Sequence, residues 1–337
     1  MRINAVFQGG GVKGIAFVGA IAVTEQKGFI FHRVAGTSSG SIVASFLAAG
    51  YKHDEMKKII METPFSQFLE KTLVHRIPVA GPAIRLLLKK GIYSGDLLEA
   101  WIRQKLLDKG VRTFRDVPKH SLYIIASDIS SGKMVVLPDD LEEYDIDPDR
   151  FEIARAVRMS ISIPYFFEPV ILKKKVFVDG GILSNFPMWI FDQEMMEKGG
   201  EKLVPTIGYQ LVGKNPVPQN EIRGPFSMFQ ALFSTMMGAH DERYIEKQYR
   251  YRTIKIDSSA VGTVEFDITR EQCLELYESG RKAAEEFFSK WSYAEYLMKF
   301  QDHARQIQNR AGQPQDHRRS PHDERSTRDQ PRLRLAK

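Results

Sequence analysis

The chain has 337 residues, enough for one large α/β domain, and its single cysteine, Cys273, excludes an internal disulfide. Its net charge is +6. No run of about eighteen apolar residues is present, and the start lacks a charged-then-apolar leader, which argues against a membrane-spanning or secreted protein. We therefore expect a cytoplasmic protein.

Short apolar runs separated by helix-like stretches predict an α/β fold with a largely parallel sheet. In such a sheet the functional site is expected where the strands end. The predicted strands are Ile3–Phe7, Phe31–Ala35, Ser121–Ser127, Lys133–Pro138, Val176–Val178, Val204–Leu211 and Tyr251–Ile256.

A glycine-rich loop follows the first predicted strand. It contains Gly9, Gly10, Gly11 and Gly14, and a helix-like run begins at Ile15. Several backbone N–H groups at the start of a helix stabilise an anion. The same spacing also fits a dinucleotide-binding loop, but the acidic residue expected at the end of the second strand is missing. Both an oxyanion and a pyrophosphate remain open as the anion.

The second predicted strand ends in a candidate nucleophile. Ser38 lies in Gly36-Thr37-Ser38-Ser39-Gly40, between that strand and a helix-like run. A serine between glycines at a strand-to-helix turn can be held with its hydroxyl exposed, as in a nucleophile elbow. Short Gly/Ser turns also occur without function. The glycine-rich loop that precedes this motif therefore strengthens its interpretation as a nucleophile elbow.

Such a serine needs a base. Of the eight histidines, only His240 lies late enough before the tail to act in a triad, and its surroundings predict a surface helix rather than a loop. Asp179 is the alternative, because it ends an apolar strand and is followed by Gly180 and Gly181. Asp-Gly is also a common hairpin turn, so the carboxylate can equally be a solvated turn residue.

Taken together, these motifs resemble those of the patatin-like phospholipases, which are lipid acyl hydrolases of bacteria and plants. The resemblance rests on Gly9–Gly14, Gly36–Gly40, Ala156–Val170, Asp179–Gly181 and the following segment to Pro187. Lys13 stands where the family often has arginine, and Gly181 stands where some members have alanine.

The resemblance implies a three-layer α/β/α fold and a lipid or fatty-acyl ester substrate. It makes Ser38 the nucleophile, Asp179 the base of a two-residue dyad, and the backbone of Gly9, Gly10 and Gly11 the oxyanion hole. It implies no cofactor and no metal. The remaining motif glycines support the turns: Gly14, Gly36, Gly40, Gly180 and Gly181.

For the domain organisation we expect a catalytic core over 1–200 with a helical insertion at about 51–118. Residues 201–302 then complete the same globular unit, and 303–337 form a disordered basic tail. The tail has nine Lys or Arg against four Asp or Glu and no aromatic residue. It therefore predicts no nucleic-acid partner, and at most weak peripheral attraction to an anionic membrane surface.

Three apolar stretches have two interpretations each. Phe65–Leu69 and Ile84–Gly91 can form a lid or an interfacial helix, or can pack on the core. Phe226–Met237 can line an acyl pocket or belong to the core. The lysines Lys173, Lys174 and Lys175 are expected in a solvated turn.

We conclude that the sequence favours a serine acyl hydrolase of the phospholipase A or carboxylesterase type. Two other classes stay open: a nucleotide-binding module that uses the glycine loop, and a catalytically silent protein that binds lipid surfaces. The headgroup, the acyl chain length and the oligomeric state are not predicted.

Overall fold

The computed structural model describes residues 1–69, 88–192, 203–213, 249–262 and 265–311, together with isolated positions between 222 and 236. The chain divides into two units, Met1–Leu297 and Met298–Lys337, and apart from the last helix the features below belong to the first. The predicted division into core, completing segment and tail stays a prediction. Three features of the sequence analysis fall outside the described residues. Most of Phe226–Met237 does so, and so do all of Ile84–Leu87 and His240.

Ten strands lie in the described chain. They are β1 (Arg2–Phe7), β2 (Ile30–Thr37), β3 (Gly91–Tyr93), β4 (Leu122–Asp128), β5 (Lys133–Leu137), β6 (Tyr165–Phe167), β7 (Val170–Leu172), β8 (Lys175–Asp179), β9 (Thr206–Val212) and β10 (Thr253–Asp257). All seven predicted strands are among them. The sequence analysis missed β3, β6 and β7, which have three residues each and are too short to show a period.

Seven α-helices lie in the same part of the chain. They are α1 (Ile15–Gln26), α2 (Ser39–Ala48), α3 (His53–Glu62), α4 (Asp96–Leu107), α5 (Ile153–Ser160), α6 (Arg270–Lys290) and α7 (Tyr293–Ala311). Short 3₁₀ helices occur at Gly11–Gly14, Phe65–Phe68, Gly180–Ile182 and Met188–Phe191, among other places. Helix α7 continues past His303, where the sequence predicts that the tail begins.

An eight-stranded sheet forms the centre of the fold. Its order is β10-β9-β1-β2-β4-β8-β7, and β5 pairs with β4 at the side. The strands from β10 to β4 are parallel, which confirms a largely parallel sheet flanked by helices. Strands β5, β7 and β8 are antiparallel to their neighbours, which the sequence did not indicate. Strands β3 and β6 form a separate parallel pair.

The two faces of the sheet belong to different hydrophobic clusters. On β1, Ala5 and Phe7 belong to the larger cluster, which includes residues of α1, α2 and α5. Val6 between them belongs to a second cluster with Met188 and Phe191. Successive side chains of a strand point to opposite faces, so this alternation shows that both faces of β1 are covered. The sheet is therefore a middle layer.

The direction of β8 determines where Asp179 lies relative to Ser38. Thr37 pairs with Ile125 across β2 and β4, and Asp179 pairs with Ala126 across β4 and β8. Strand β5 occupies the other side of β4 from Ile124 to Asp128, so β2 and β8 both lie along one side of β4. Ser38 follows Thr37 and Asp179 ends β8, so the two residues lie next to each other where these strands end. Because β8 is antiparallel, it runs inward from the carboxyl edge of the parallel strands and ends beside the site. Asp179 thus lies at the end of an apolar strand, as predicted, and that strand is one of the antiparallel ones.

Candidate active site

Ser38 occupies a strained turn between β2 and α2. Its φ is 52° and its ψ is −129°, a backbone conformation that residues other than glycine rarely adopt. The Ser38 N–H donates to Ser160 Oγ at 2.8 Å, and the Ser38 carbonyl accepts bonds from the N–H and the hydroxyl of Ser41 at 2.8 and 2.6 Å. These bonds hold the turn in place against its intrinsic preference.

The two glycines of the turn allow α2 to start directly above the sheet. A Cβ on Gly36 would overlap the backbone of Gly40. A Cβ on Gly40 would in turn overlap the backbone of Phe7 at the end of β1. Only glycine at both positions therefore permits the close contact between β1, β2 and the first turn of α2 that presents Ser38.

Asp179 is fully buried beside Ser38. Its Oδ1 accepts a 2.8 Å hydrogen bond from Gly181 N–H, and Gly180 and Gly181 begin the 3₁₀ helix that follows. Burial raises the pKa of Asp179 to about 7, while hydrogen bonding from the Ser38 side chain and from Gly181 N–H opposes that rise. Oδ2 has no partner of normal length and angle among the described residues. The Ser38 hydroxyl therefore lies within reach of the carboxyl without forming a well-aligned bond to it.

The end of α5 and the residues directly after it fix the backbone of both residues. Ser160 Oγ, which accepts the Ser38 N–H, itself donates to Ile125 O at 2.6 Å. Ser162 O accepts the Asp179 N–H at 2.9 Å. The sequence analysis noticed this stretch only as part of a family resemblance and gave Ser160 no role. The only signal for such a role in the sequence was the presence of two serines shortly before the strand that ends at Asp179.

The glycine loop packs against the elbow. A Cβ on Gly9 would lie 3.1 Å from Ser38 Cβ and would overlap the Asn185 side chain. Gly9 N–H donates to Asn185 O at 3.0 Å, and Gly10 N–H donates to Ser39 Oγ at 3.1 Å. Within the described chain, Gly11 N–H has no such acceptor. Gly14 ends the 3₁₀ helix and caps α1.

Lys13 lies in the same 3₁₀ helix. Burial lowers the pKa of its ammonium group, while the negative charges of Glu265 and Asp257 oppose that change. The chain therefore places a partly buried cation next to the glycine loop and balances it with acidic residues from the C-terminal half.

An apolar pocket opens beside Ser38. Its walls come from six parts of the chain: the glycine loop, α2, α3 with the following 3₁₀ helix, α4, the segment around Ile163, and Phe266. Phe46, Phe68 and Trp101 form an aromatic group in it, with ring centroids 5.4 to 5.8 Å apart for the two Trp101 contacts. No histidine is among the lining residues.

Phe65 and Phe68 belong to the pocket wall, and Phe68 is buried. They therefore pack against the core, as the plainer of the two sequence interpretations expected. No helix in the described part of the chain is both long and apolar enough to cross a membrane.

The fold and the site define an α/β protein with a serine elbow, a buried carboxyl beside it and an apolar pocket. Residues 5–192 match the sequence profile of the patatin-like phospholipases. The chain belongs to this family, as the sequence motifs predicted.

Related proteins agree with this assignment. The uncharacterized protein YqhO of Bacillus subtilis is 44% identical over 298 residues, which are 87% of this chain and 100% of YqhO. A protein of Invertebrate iridescent virus 6 named probable lipid hydrolase 463L is 26% identical over 201 residues, covering 54% of this chain and 61% of its own. The crystal structure of VipD from Legionella pneumophila has a TM-score of 0.52 at 16% identity and covers 91% of this chain and 75% of VipD, which shows a shared fold.

Proposed function

We propose that this protein is a serine acyl hydrolase that cleaves fatty-acyl ester bonds of membrane lipids or related esters. The observation that carries the proposal is the approach of Ser38, on its strained turn, to the buried carboxyl of Asp179. Family membership supports a role in lipid hydrolysis, and so does the name of the viral relative.

In the first half of the reaction, Ser38 Oγ attacks the ester carbonyl carbon and Asp179 accepts the hydroxyl proton. The tetrahedral intermediate collapses, and its carbon–oxygen bond to the alcohol breaks. The leaving alkoxide takes the proton from Asp179. An acyl ester on Ser38 and a free alcohol, such as a lysolipid, result.

In the second half, water replaces the alcohol. Asp179 takes a proton from the water as its oxygen attacks the acyl carbon. The bond to Ser38 Oγ then breaks, and Asp179 returns the proton to Ser38. The products are a fatty acid and the starting enzyme.

The raised pKa makes Asp179 suitable for this work. A carboxylate with an ordinary pKa near 3.8 is a weak base toward a hydroxyl group. A base whose pKa lies near the working pH is both available and strong enough to take a proton. Burial supplies this property, because it disfavours the charged carboxylate.

The oxyanion would be stabilised by backbone donors of the glycine loop. Of the three proposed residues, Gly9 already donates its N–H to Asn185 O, which suits a role in holding the loop. Gly11 N–H has no acceptor among the described residues, so it can donate to a ligand. Gly10 N–H donates only to the Ser39 hydroxyl, which can rotate away. We therefore assign the oxyanion contact to Gly10 and Gly11. One such donor contributes about 10²–10³ to kcat.

The apolar pocket would hold the acyl chain. Val43, Phe46 and Leu98 are among its buried walls, and its opening at Ser38 brings the reactive carbonyl to the nucleophile. A pocket with this lining favours an alkyl chain over a charged substrate. A cytoplasmic location with peripheral contact at the membrane surface is part of the same proposal.

The test is a covalent trap combined with turnover. A fluorophosphonate with an alkyl chain should label wild type, and peptide mass spectrometry should locate the label on Ser38. Medium-chain p-nitrophenyl esters and phospholipid vesicles measure turnover in parallel. Ser38→Ala and Asp179→Asn should fall to background. Ser45→Ala removes another buried hydroxyl of α2 that does not touch Ser38, and it should retain activity.

Other outcomes identify the alternatives. Lipid binding without labelling or turnover would favour the silent lipid-binding protein. An increase in melting temperature with NAD or ATP, again without turnover, would favour the nucleotide-binding module. Full activity in Asp179→Asn would remove the dyad and return a histidine to consideration.

A further inference from the structure

Two hairpin tips project side by side from the sheet edge at which Ser38 lies. The first tip, residues 129–133, joins β4 to β5, and the second, residues 171–175, joins β7 to β8. Strand β4 runs parallel to β2 and ends at Asp128, so the first tip leaves the carboxyl edge. Strand β8 starts at Lys175 on that edge and runs inward to Asp179, so the second tip stands about 17 Å beyond the candidate base along the strand.

The tips are rich in cations and carry no acidic residue. Lys133, Lys173, Lys174 and Lys175 lie in them, and neither five-residue segment contains Asp or Glu. Lys133 is paired with Glu143 at 3.3 Å, and Lys175 donates to Ser131 Oγ at 2.8 Å. Lys173 and Lys174 are exposed and have no ion pair within the described chain. They leave a local positive charge at the end of the hairpin.

Each tip also exposes an isoleucine. Ile129 is 53% exposed and Ile171 is 59% exposed. Isoleucines next to lysines at a rigid surface combine an apolar group that can enter the acyl boundary with cations that attract headgroups. A free phosphate ion would make use of the lysines alone.

The lysine turn has a fixed shape. Leu172 pairs with Lys175, so Lys173 and Lys174 are the two central residues of the turn, and their φ values are 49° and 63°. This two-residue hairpin turn normally selects Asn-Gly or a similar pair, because both positions need positive φ. Lysine therefore occupies both positions although the conformation of the turn favours other residues there.

The two tips are tied to each other. Val176 N–H donates to Ser130 Oγ at 2.9 Å, and Ile129 N–H donates to Val176 O at 3.0 Å. With the contact between Lys175 and Ser131, three bonds join them. The isoleucines and lysines thus belong to one preformed surface rather than to two independent loops.

We propose that this surface, formed by residues 129–133 and 171–175, docks the protein on anionic membranes. Lys173 and Lys174 contact the headgroups, and Ile129 and Ile171 enter the interface. Docking would place the carboxyl edge of the sheet, with Ser38, toward the bilayer. The inference extends the proposed hydrolase function by naming where the enzyme meets its substrate, but the binding itself requires no turnover. Lysines also protect sheet edges from pairing with other chains, and β7 is an edge strand, so the test must separate these two roles.

Vesicle co-sedimentation of the full chain provides the test. The Ser38→Ala background prevents any hydrolysis of the vesicles, so a failure of the proposed chemistry does not affect the readout. Vesicles of phosphatidylcholine alone are compared with vesicles in which a quarter of the lipid is phosphatidylglycerol. Both are measured at low and high salt, because attraction to headgroups weakens as salt screens it.

Lys173→Glu with Lys174→Glu should weaken binding to the anionic vesicles by at least about tenfold. Ile129→Ser with Ile171→Ser should weaken it at low and high salt alike. The matched control is Arg2→Glu with Lys27→Glu, which changes the charge equally at the opposite edge of the sheet, where β1 begins and α1 ends. It should bind as the parent does. Unchanged melting temperatures establish that each variant folds.

Three results would overturn the proposal: no preference of the parent for anionic vesicles, parental binding by the lysine variant, or equal weakening by the control. Parental vesicle binding together with self-association of the lysine variant would assign the lysines to edge protection. Binding that depends only on the basic tail would leave the lysine variant at parental affinity and would count against the proposal.

Discussion

The Ser160 hydroxyl accepts a hydrogen bond from the backbone N–H of Ser38 at 2.8 Å and donates one to Ile125 O at 2.6 Å. This side chain therefore connects the elbow to the neighbouring strand β4. Ser160 does not touch the space where an ester would bind, so its role is to position Ser38.

Ser160→Ala should lower kcat on a short-chain ester by about 10- to 100-fold with little change in KM. The elbow loses a buried bond, which corresponds to about 1–3 kcal/mol. Steady-state kinetics and the rate of fluorophosphonate labelling measure the effect. Ser45→Ala is the control. An equal loss in both variants would mean that Ser160 acts only through general stability.

The second prediction concerns the pH dependence of the reaction. Asp179 must be ionised to accept the Ser38 proton, and burial raises its pKa to about 7. The value of kcat/KM should therefore rise through an apparent pKa near 7 and level off above it. An ester whose own charge does not change in this range is required. A rate that is already constant from pH 5 upward would contradict Asp179 as the base.

The same pKa shift predicts a change in stability with pH. Between about pH 4 and pH 7 the folded chain holds a proton on Asp179 that the unfolded chain has lost. The free energy of unfolding should therefore fall as pH rises through this window. Above the window, Asp179 should contribute no further change. A shift of this size corresponds to about 4 kcal/mol at most.

Asp179→Asn removes this dependence. Urea unfolding at pH 4.0 and pH 8.0 in wild type and variant checks it, because the advantage of the variant should grow toward the higher pH. An advantage that is equal at both values would show that Asp179 does not titrate as a buried group.

The fourth prediction follows from the backbone strain at Ser38. Glycine adopts a φ of 52° without a steric penalty, whereas alanine keeps the strain. Ser38→Gly should therefore raise the free energy of unfolding by about 1 kcal/mol relative to Ser38→Ala, although both variants lose activity. Urea unfolding midpoints decide it. Equal midpoints would indicate that the turn is not strained in solution.

The fifth prediction concerns the acyl chain. Trp101 contacts Phe46 and Phe68 in the pocket wall, so Trp101→Ala should enlarge the pocket. The preferred chain length in a series of p-nitrophenyl esters should increase, while hydrolysis of the butyrate ester stays close to wild type. Trp189→Ala, an exposed tryptophan outside this pocket, is the control. An unchanged preference in Trp101→Ala would place the acyl chain elsewhere.

Local signals in the sequence were enough to predict much of the site. Apolar runs identified the strand that ends just before Ser38 and the strand that ends at Asp179, because a buried strand needs continuous apolar residues. The glycines around Ser38 indicated a tight turn, and the structure requires them at Gly36 and Gly40.

The remaining features depend on contacts between distant segments. The antiparallel direction of β8 follows from its pairing with β4, about fifty residues earlier, and no local pattern encodes it. The bond from Ser38 to Ser160 spans 122 positions. The raised pKa of Asp179 likewise depends on complete burial, which the whole fold provides.

The pocket wall has a consequence for how proteins of this kind can diverge. Six residues of the pocket wall lie between α2 and β4, whereas the turn of Ser38 and the strand of Asp179 lie outside that stretch: Met56, Ile60, Phe65, Phe68, Leu98 and Trp101. Substitutions there can change which acyl chain fits without altering the bonds that hold Ser38 and Asp179. If the protein is the proposed hydrolase, selection can therefore act on substrate choice in one part of the gene while the reacting groups in another part are inherited unchanged.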